Sequence, residues 1–153
     1  MNTVWIVAAN RTDARIFESR RGENIEELET FICSEARQPD RASLTDAPGR
    51  SHDRLGTARH SMEPHTGLAD QLAQRFARQI AGRVERGRTD NAWDELVLVA
   101  GPEFLGHLRE ALGSHCMQHV IAECHKNIVT EDIPAIVAAL PEQLQHRLQS
   151  RAE

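Results

Sequence analysis

The sequence predicts an α/β fold: a mixed five-stranded sheet, made of an antiparallel β-meander and a parallel βαβ unit, with helices on both faces. Three observations predict it. The first third of the 153 residues alternates apolar runs with polar turns. The continuous apolar run 96–100 is typical of a buried central strand. Apolar residues recur at helical spacing on both sides of that run. A chain of this length fits one domain, so we expect residues 1–153 to form a single α/β domain.

The first three strands are expected to be consecutive and antiparallel. Residues 3–19 form a predicted hairpin, because the apolar run 4–9 and the extended pattern of 14–18 flank a polar turn at 10–13. A third strand is predicted within 25–33, where Leu28, Thr30 and Ile32 favour an antiparallel strand over a helix. Both sides of the first strand are apolar, which predicts a strand covered on each face.

A long helix is predicted after the meander. Its periodicity begins at Thr66, a suitable N-cap, and ends near Gly87. The remaining predicted elements are strand 96–100, a helix from Pro102 to Gly113, strand 119–124, a short helix from Ile133 and a last helix after Pro141. Because 95–125 has the order strand–helix–strand, its two strands are expected to be parallel.

Residues 34–65 show neither the helical nor the strand periodicity of apolar residues, and we expect a long, flexible loop there. The chain has a net charge of −5, but residues 37–65 hold five Arg and three His against four acids, which gives this segment +1 and the rest −6. Guanidinium groups supply forked donors for phosphate or carboxylate. The candidate binding residues are Arg50, His52, Arg54, Arg59 and His60. The alternative is a solvated loop with no partner.

No metal site is predicted. Five side chains of the types that bind zinc lie close together in the sequence: His115, Cys116, His119, Cys124 and His125. They lack the paired spacing of a tetrahedral site, and part of the cluster falls on a predicted strand, where alternate side chains point apart. Cys124 is expected to pack as a small apolar residue.

No cofactor and no catalytic residue are predicted. Gly101 and Pro102 open a helix after a buried strand, where backbone amides can hold a phosphate, but neither a P-loop nor a dinucleotide fingerprint is present. We therefore expect Gly101 to ease a tight strand-to-helix bend. The chain has no G-x-S-x-G elbow, and residues 51–53 (Ser-His-Asp) are only neighbours in sequence.

A cytoplasmic location without a membrane partner is expected. The three cysteines are scattered, no basic residue precedes the six-residue apolar run 4–9, and no apolar run approaches the ~20 residues that cross a bilayer. Homo-oligomers are left open.

Several motifs resemble one bacterial family. They are residues 5–10 (WIVAAN), 14–17 (ARIF), 49–50 (GR), 59–60 (RH), 76–77 (FA), 96–102 (LVLVAGP) and 105–109 (LGHLR). Together they resemble the host attachment protein family, also called proteins required for attachment to host cells. The resemblance spans essentially the whole chain, and 96–109 is its most specific part.

That family is similar to the middle domain of archaeal and eukaryotic peptide-chain release factors, which implies an RNase H-like fold. In release factors, the loop that matches residues 34–65 ends in a Gly-Gly-Gln tip that promotes peptidyl-tRNA hydrolysis. The nine glycines of this chain are never adjacent, so the tip is absent. The resemblance therefore does not extend to that chemistry.

The predicted function is a non-enzymatic binding module whose Arg/His loop contacts RNA (the ribosome or tRNA) or an acidic protein partner. Two alternatives stay open. One is a divergent hydrolase of peptidyl-tRNA or a related ester, with His52 or His60 as general base near neutral pH. The other is a factor that promotes attachment to host cells indirectly.

Overall fold

A computed structural model describes residues 2–21, 24–37 and 55–150. Of residues 37, 55–66 and 150 it describes the backbone alone. Among these residues, no helix combines the length and the apolar character that a bilayer crossing requires.

The fold is the predicted mixed five-stranded sheet with helices on both faces. The strands are β1 (Val4–Ala9), β2 (Asp13–Ser19), β3 (Glu26–Ile32), β4 (Glu95–Ala100) and β5 (Val120–Cys124). The helices are α1 (Ser34–Arg37), α2 (Leu55–Thr89), α3 (Pro102–Met117), α4 (Ile133–Ala138) and α5 (Glu142–Ser150). The strand order is β3-β2-β1-β4-β5, with β1–β2–β3 antiparallel and β1–β4–β5 parallel.

Each sheet face has its own apolar core. On the first face, Trp5, Val7 and Ala9 of β1 pack with α2 and α3 through buried residues such as Phe76, Ile80, Leu105 and Leu108. On the second face, Val4, Ile6 and Ala8 pack with α4 and α5 through Ile136, Leu144 and Leu148. Both sides of β1 and β4 are therefore buried, which explains why these strands are continuous apolar runs.

The amino end of β1 is packed tightly. The Trp5 and Trp93 rings have centroids 6.4 Å apart, and a Cβ added at Gly87 of α2 would lie 2.6 Å from Trp5 and 2.9 Å from Trp93. Each indole N–H has an acceptor, Glu18 Oε1 at 3.0 Å for Trp5 and the Val84 carbonyl at 2.9 Å for Trp93. Glycine at 87 lets α2 approach the sheet at this point.

The predicted loop over 34–65 is corrected at both ends. Residues Ser34–Arg37 form α1, and α2 begins at Leu55, eleven residues before the predicted N-cap Thr66. Sequence periodicity detected only the part of α2 from Thr66 onward; among the α2 side chains that the structure describes, which begin at Gly67, Ala73 is the first that is buried. Residues 38–54 lie outside the described part of the chain.

The helix predicted to close at Gly113 continues by one turn. Gly113 itself has non-helical angles (φ +75°, ψ 177°), a conformation that favours glycine, and α3 then runs on to Met117. The extra turn places the buried Cys116 against α2, where its thiol donates to Glu85 Oε2 at 2.9 Å.

Candidate binding site at the carboxyl edge of the sheet

Four of the five strands end at the same edge of the sheet. Strands β1, β4 and β5 are parallel, and β3 runs in the same direction because it is antiparallel to β2. Ala9 and Ala100 are register partners at the ends of β1 and β4. We call this the carboxyl edge. From it, β4 leads to α3 on the first face and β5 leads to α4 on the second face. Ligands of open α/β sheets bind where neighbouring strands send the chain to opposite faces.

A cleft of about 450 Å³ opens at the carboxyl edge. It is lined by Asn10, Arg11, Thr12, Gly101, Pro102, Glu103, Phe104 and Asn127. These residues follow β1, begin α3 and follow β5, so three separate connections build one site. The lining combines amide, hydroxyl, guanidinium and carboxylate groups with one buried aromatic ring, Phe104.

The turn after β1 fixes the floor of the cleft. Asn10 Oδ1 accepts hydrogen bonds from the Thr12 amide at 2.8 Å, the Thr12 hydroxyl at 3.0 Å and the Asp13 amide at 2.7 Å. This is an Asx turn. Asn10 Nδ2 donates to Asn127 Oδ1 at 3.1 Å, which connects the β1–β2 turn to the segment after β5.

An ionic cluster closes one side of the cleft. Arg11 donates to the Ala69 carbonyl at 3.3 Å, hydrogen-bonds to Glu103 and lies 3.7 Å from Asp70. His107 lies one helical turn after Glu103, and ligand atoms of Asp70, Glu103 and His107 come within 4.8 Å of one another. The cluster thus joins the β1–β2 turn, α2 and α3.

A carboxylate, carboxylate and imidazole set of this kind can ligate a divalent cation. Here the Arg11 guanidinium already supplies the positive charge between the two carboxylates. A metal ion would have to displace it, so the arrangement is that of an ion-pair cluster.

Gly101 faces open space at the start of α3. Its angles (φ −60°, ψ 158°) are accessible to any residue, and an added Cβ would meet no atom within 4 Å. The expectation that Gly101 eases a tight bend is therefore wrong. It has no side chain with which to cap α3, and the backbone at the helix start borders the cleft directly.

The described part of the chain does not include the side chains of the five sequence-predicted binding residues, so their arrangement stays a prediction. Arg50, His52 and Arg54 lie outside the described residues. Arg59 and His60 are on the helical backbone of α2, and their side chains are not described.

The parts of the chain on either side of residues 38–54 contact the rest of the protein at the carboxyl edge. Strand β3 ends there, and the Cys33 amide donates to the Thr12 carbonyl at 2.8 Å. Helix α2 runs from this edge, where Ala69 contacts Arg11, to the opposite edge, where Gly87 contacts Trp5. The helical backbone from Leu55 to Ala69 therefore leads toward this edge. This part of α2 is about 21 Å long at 1.5 Å per residue.

The histidines and cysteines of the rejected zinc cluster do not converge. Cys116 and Cys124 are buried in the cores of opposite sheet faces. His119 packs edge-on against Trp93, and His125 is an exposed side chain 3.9 Å from Glu123. Cys124 is 7% exposed and packs as an apolar residue, as predicted.

Burial raises the pKa of the Cys116 thiol to about 12, and the hydrogen bond to Glu85 adds to the shift. The neighbouring carboxyl of Glu85 has its pKa lowered to about 2, first by its hydrogen bonds from Arg88 and then by that from Cys116. A thiol in this state is a structural group, because the nucleophile is the thiolate.

Sequence reasoning missed the residues that form the cleft and its ionic cluster, chiefly Arg11, Asp70, His107 and Asn127. Two signals in the sequence pointed to some of them. Residues that directly follow parallel strands gather at one edge, and Glu103 and His107 have the i, i+4 spacing that places two side chains on one helix face. Neither signal reveals Asp70, which comes from a different helix.

Comparisons with known proteins give the following similarities. Residues 5–140 match the family model described as "Protein required for attachment to host cells". An uncharacterized protein of Rickettsia prowazekii (strain Madrid E) is 32% identical over 80 residues, which cover 51% of this chain and 53% of that protein. The chain is thus matched to about half the length of this curated relative.

Two solved structures are similar at 11% identity. One, described only as an archaeal protein, has a TM-score of 0.49, with 96% of this chain and 36% of that chain covered. The other, the archaeal translation termination factor aRF1, has a TM-score of 0.46, with coverages of 90% and 33%.

Proposed function

The chain belongs to the family of proteins required for attachment to host cells. We propose that it acts as a non-enzymatic binding module that holds RNA at the carboxyl edge through residues 37–65, which we call the Arg/His segment. The proposed contacts are Arg50, His52, Arg54, Arg59 and His60. The proposed RNA partners are the ribosome and tRNA. An acidic protein is the competing partner that the experiment below distinguishes.

One observation carries the proposal: the two connections that flank residues 38–54 both meet the body at the carboxyl edge, beside the cleft. The basic segment is therefore attached at the edge where open α/β sheets bind their ligands. Arginine guanidinium groups form the charge-assisted hydrogen bonds by which proteins hold phosphate.

Ion pairs within the rest of the protein leave fewer arginines there to bind a polyanion. Arginines of the β1–β2 hairpin, α3 and α5 are paired with carboxylates: Arg15 with Glu27 at 2.8 Å, Arg147 with Glu95 at 2.7 Å, and Arg109 with Glu123. Those guanidinium groups are neutralised within the molecule. A polyanion is expected to bind where basic residues outnumber acids, as they do over 37–65.

A cytoplasmic location is part of the proposal. Cys33, Cys116 and Cys124 are free thiols, and a reducing compartment suits them. An effect on attachment to host cells is then indirect, and finding the native protein on the surface of intact cells would contradict it.

The test compares the wild type with a variant in which Arg50, Arg54 and Arg59 are all changed to Ala. We expect the variant to lose most of its affinity for tRNA in filter binding and for ribosomes in co-sedimentation, because three phosphate contacts are removed. The matched control changes Arg20, Arg109 and Arg147 to Ala, which removes the same charge from other surfaces.

Equal RNA binding by the Arg50/Arg54/Arg59 variant and the wild type would exclude the segment as the contact. Retained ribosome binding with no binding of naked RNA would favour a protein partner. The hydrolase alternative makes a separate demand: hydrolysis of a peptidyl-tRNA ester that is lost in His52→Ala or His60→Ala.

A further inference from the structure

The outer surface of α2 is a basic stripe in an acidic protein. Gln71, Arg75, Arg78, Gly82 and Arg86 are all exposed and follow one another at spacings of four, three, four and four residues. These spacings place them on one side of the helix. The opposite side holds the buried residues Ala73, Phe76, Ala77, Ile80 and Val84. We call the exposed set the α2 stripe.

Charge is distributed unevenly along the chain. Residues 37–89 contain ten of the eighteen basic residues and six of the twenty-three acids, a net charge of +4, which leaves −9 for the rest of the protein. From Gln71 to Val84 the helix contains no acidic residue. The excess positive charge thus continues from the Arg/His segment along α2.

The arginines of α2 whose side chains the structure describes divide into two groups. Arg83 pairs with Glu29 and lies over the Trp5 ring, 5.0 Å from its centroid, and Arg88 pairs with Glu85, so both are engaged within the body. Within the described residues, Arg75 forms one ion pair, with Glu35 at 3.6 Å, and its side chain is 65% exposed. Arg78 and Arg86 are exposed, and within the described residues no carboxylate forms an ion pair with either.

Gly82 lies in the middle of the stripe without a packing reason. A Cβ at this position would meet no atom within 4 Å, and glycine inside a helix costs about 1 kcal/mol relative to alanine. Position 82 therefore has room for a longer side chain on the stripe, between Arg78 and Arg86.

The composition of the stripe favours a phosphate backbone over a protein surface. The exposed large apolar residues of the described part are Leu28, Ile32, Leu68 and Ile121, and none lies within 71–86. Protein interfaces depend on buried apolar and aromatic anchors, whereas contacts to nucleic acid backbones use Arg and Gln side chains.

We propose that the α2 stripe is a second RNA contact, which binds the phosphate backbone of the RNA held at the carboxyl edge. This rests on the proposed function and extends it. From Gln71 to Arg86 the stripe is about 22 Å long at 1.5 Å per residue, which gives the protein a footprint longer than the edge alone.

The first experiment inserts side chains at Gly82, where the structure has room for them. Binding of a labelled RNA hairpin is measured by fluorescence anisotropy between about 50 and 200 mM salt. Gly82→Arg is expected to lower Kd and to steepen the slope of log K against log salt by about one, because it adds one phosphate contact. Gly82→Glu is expected to raise Kd by about tenfold or more, since it introduces repulsion at the same point.

The second experiment changes Arg75, Arg78 and Arg86 together to Gln, and we expect the salt slope to fall by about two to three. Gln143→Arg is the matched control for added charge, because Gln143 is exposed on α5, which covers the other face of the sheet. It should bind RNA as the wild type does. A DNA duplex of the same sequence serves as a further arm, and equal Kd values would show that the stripe reads only phosphate charge.

Failure of this inference is distinguishable from failure of the proposed function. If the Arg50/Arg54/Arg59 variant loses affinity while all α2 variants bind like the wild type, the stripe is not a contact and the proposed function stands. If Gly82→Glu and the Arg75/Arg78/Arg86 variant lose affinity while the Arg50/Arg54/Arg59 variant binds like the wild type, the stripe is confirmed and the assignment of the segment is wrong. A wild type that binds no RNA overturns both.

Discussion

Arg15 shows how much one residue can contribute to this fold. From the middle of β2 it donates to the carbonyls of Val129 at 2.8 Å and Glu131 at 2.6 Å, and its guanidinium also pairs with Glu27 of β3. It lies over the Phe17 ring, 4.8 Å from the centroid. Only a planar, forked guanidinium can satisfy these partners together, so lysine is not equivalent here.

We predict that Arg15→Lys lowers the free energy of unfolding by about 1 to 3 kcal/mol, because a single ammonium group cannot donate to both carbonyls and the carboxylate in the positions that the forked guanidinium reaches. Urea unfolding followed by circular dichroism measures the change. The control is Arg147→Lys, whose side chain is 43% exposed and pairs with Glu95 at 2.7 Å. A loss below about 1 kcal/mol is expected for this control. Equal losses in the two variants would refute the assigned role of Arg15.

At the scale of elements, α2 contains two glycines with opposite roles. Gly87 is required where the helix meets Trp5 and Trp93, and Gly82 faces open space. The same substitution at the two positions therefore separates packing from helix propensity within one helix.

We expect Gly82→Ala to raise the free energy of unfolding by up to about 1 kcal/mol through helix propensity alone. Gly87→Ala should lower it by about 1 to 3 kcal/mol, since the new methyl group would force the two indole rings apart. Thermal or urea unfolding of both variants measures the difference. Stabilisation by Gly87→Ala would mean that α2 lies farther from the sheet than described.

At the scale of the whole molecule, several carboxyl groups are coupled to folding. Hydrogen bonds lower the pKa of Glu27 (chiefly from Arg15), Glu85 (chiefly from Arg88) and Glu123 (chiefly from Arg109) below the ordinary value of 4.5. A lowered folded-state pKa stabilises the protein above 4.5, and that stabilisation is lost as the pH falls through the folded value. For Glu85 the window extends down to about 2.

We predict that stability is constant with respect to these groups near neutral pH and declines as the pH falls below 4.5. The midpoint of urea unfolding, measured over the acid range, reports the decline. Glu123→Gln removes one of the groups and should flatten the dependence. A midpoint that falls with pH as steeply in Glu123→Gln as in the wild type would contradict the assignment.

The sequence was most informative where burial is strongest. Strands β1 and β4 are buried along nearly their whole length, so their apolar runs predicted both their positions and their place in the centre of the sheet. The N-terminal part of α2 could not be predicted in the same way, because residues 55–65 have no sustained helical recurrence of apolar residues.

The candidate site was harder to predict for a different physical reason. The contacts of Arg11 join residues that are 58 and 92 positions away in the chain. A local pattern contains no information on such pairs. Composition pointed to the Arg/His segment, and only the path of β3 and α2 relates that segment to the carboxyl edge.

The two ends of the sheet have unequal tolerance to evolutionary change. At the Trp5 end, even a methyl group at Gly87 would collide with an indole ring, so substitutions there are expected to be purged. At the end where β1, β3, β4 and β5 finish, Val129 and Cys33 pack with the cores, whereas exposed connecting residues such as Lys126 tolerate changes of sequence. Related proteins could thus acquire new ligands through changes in the connection between β3 and α2 while they keep the same sheet and helices.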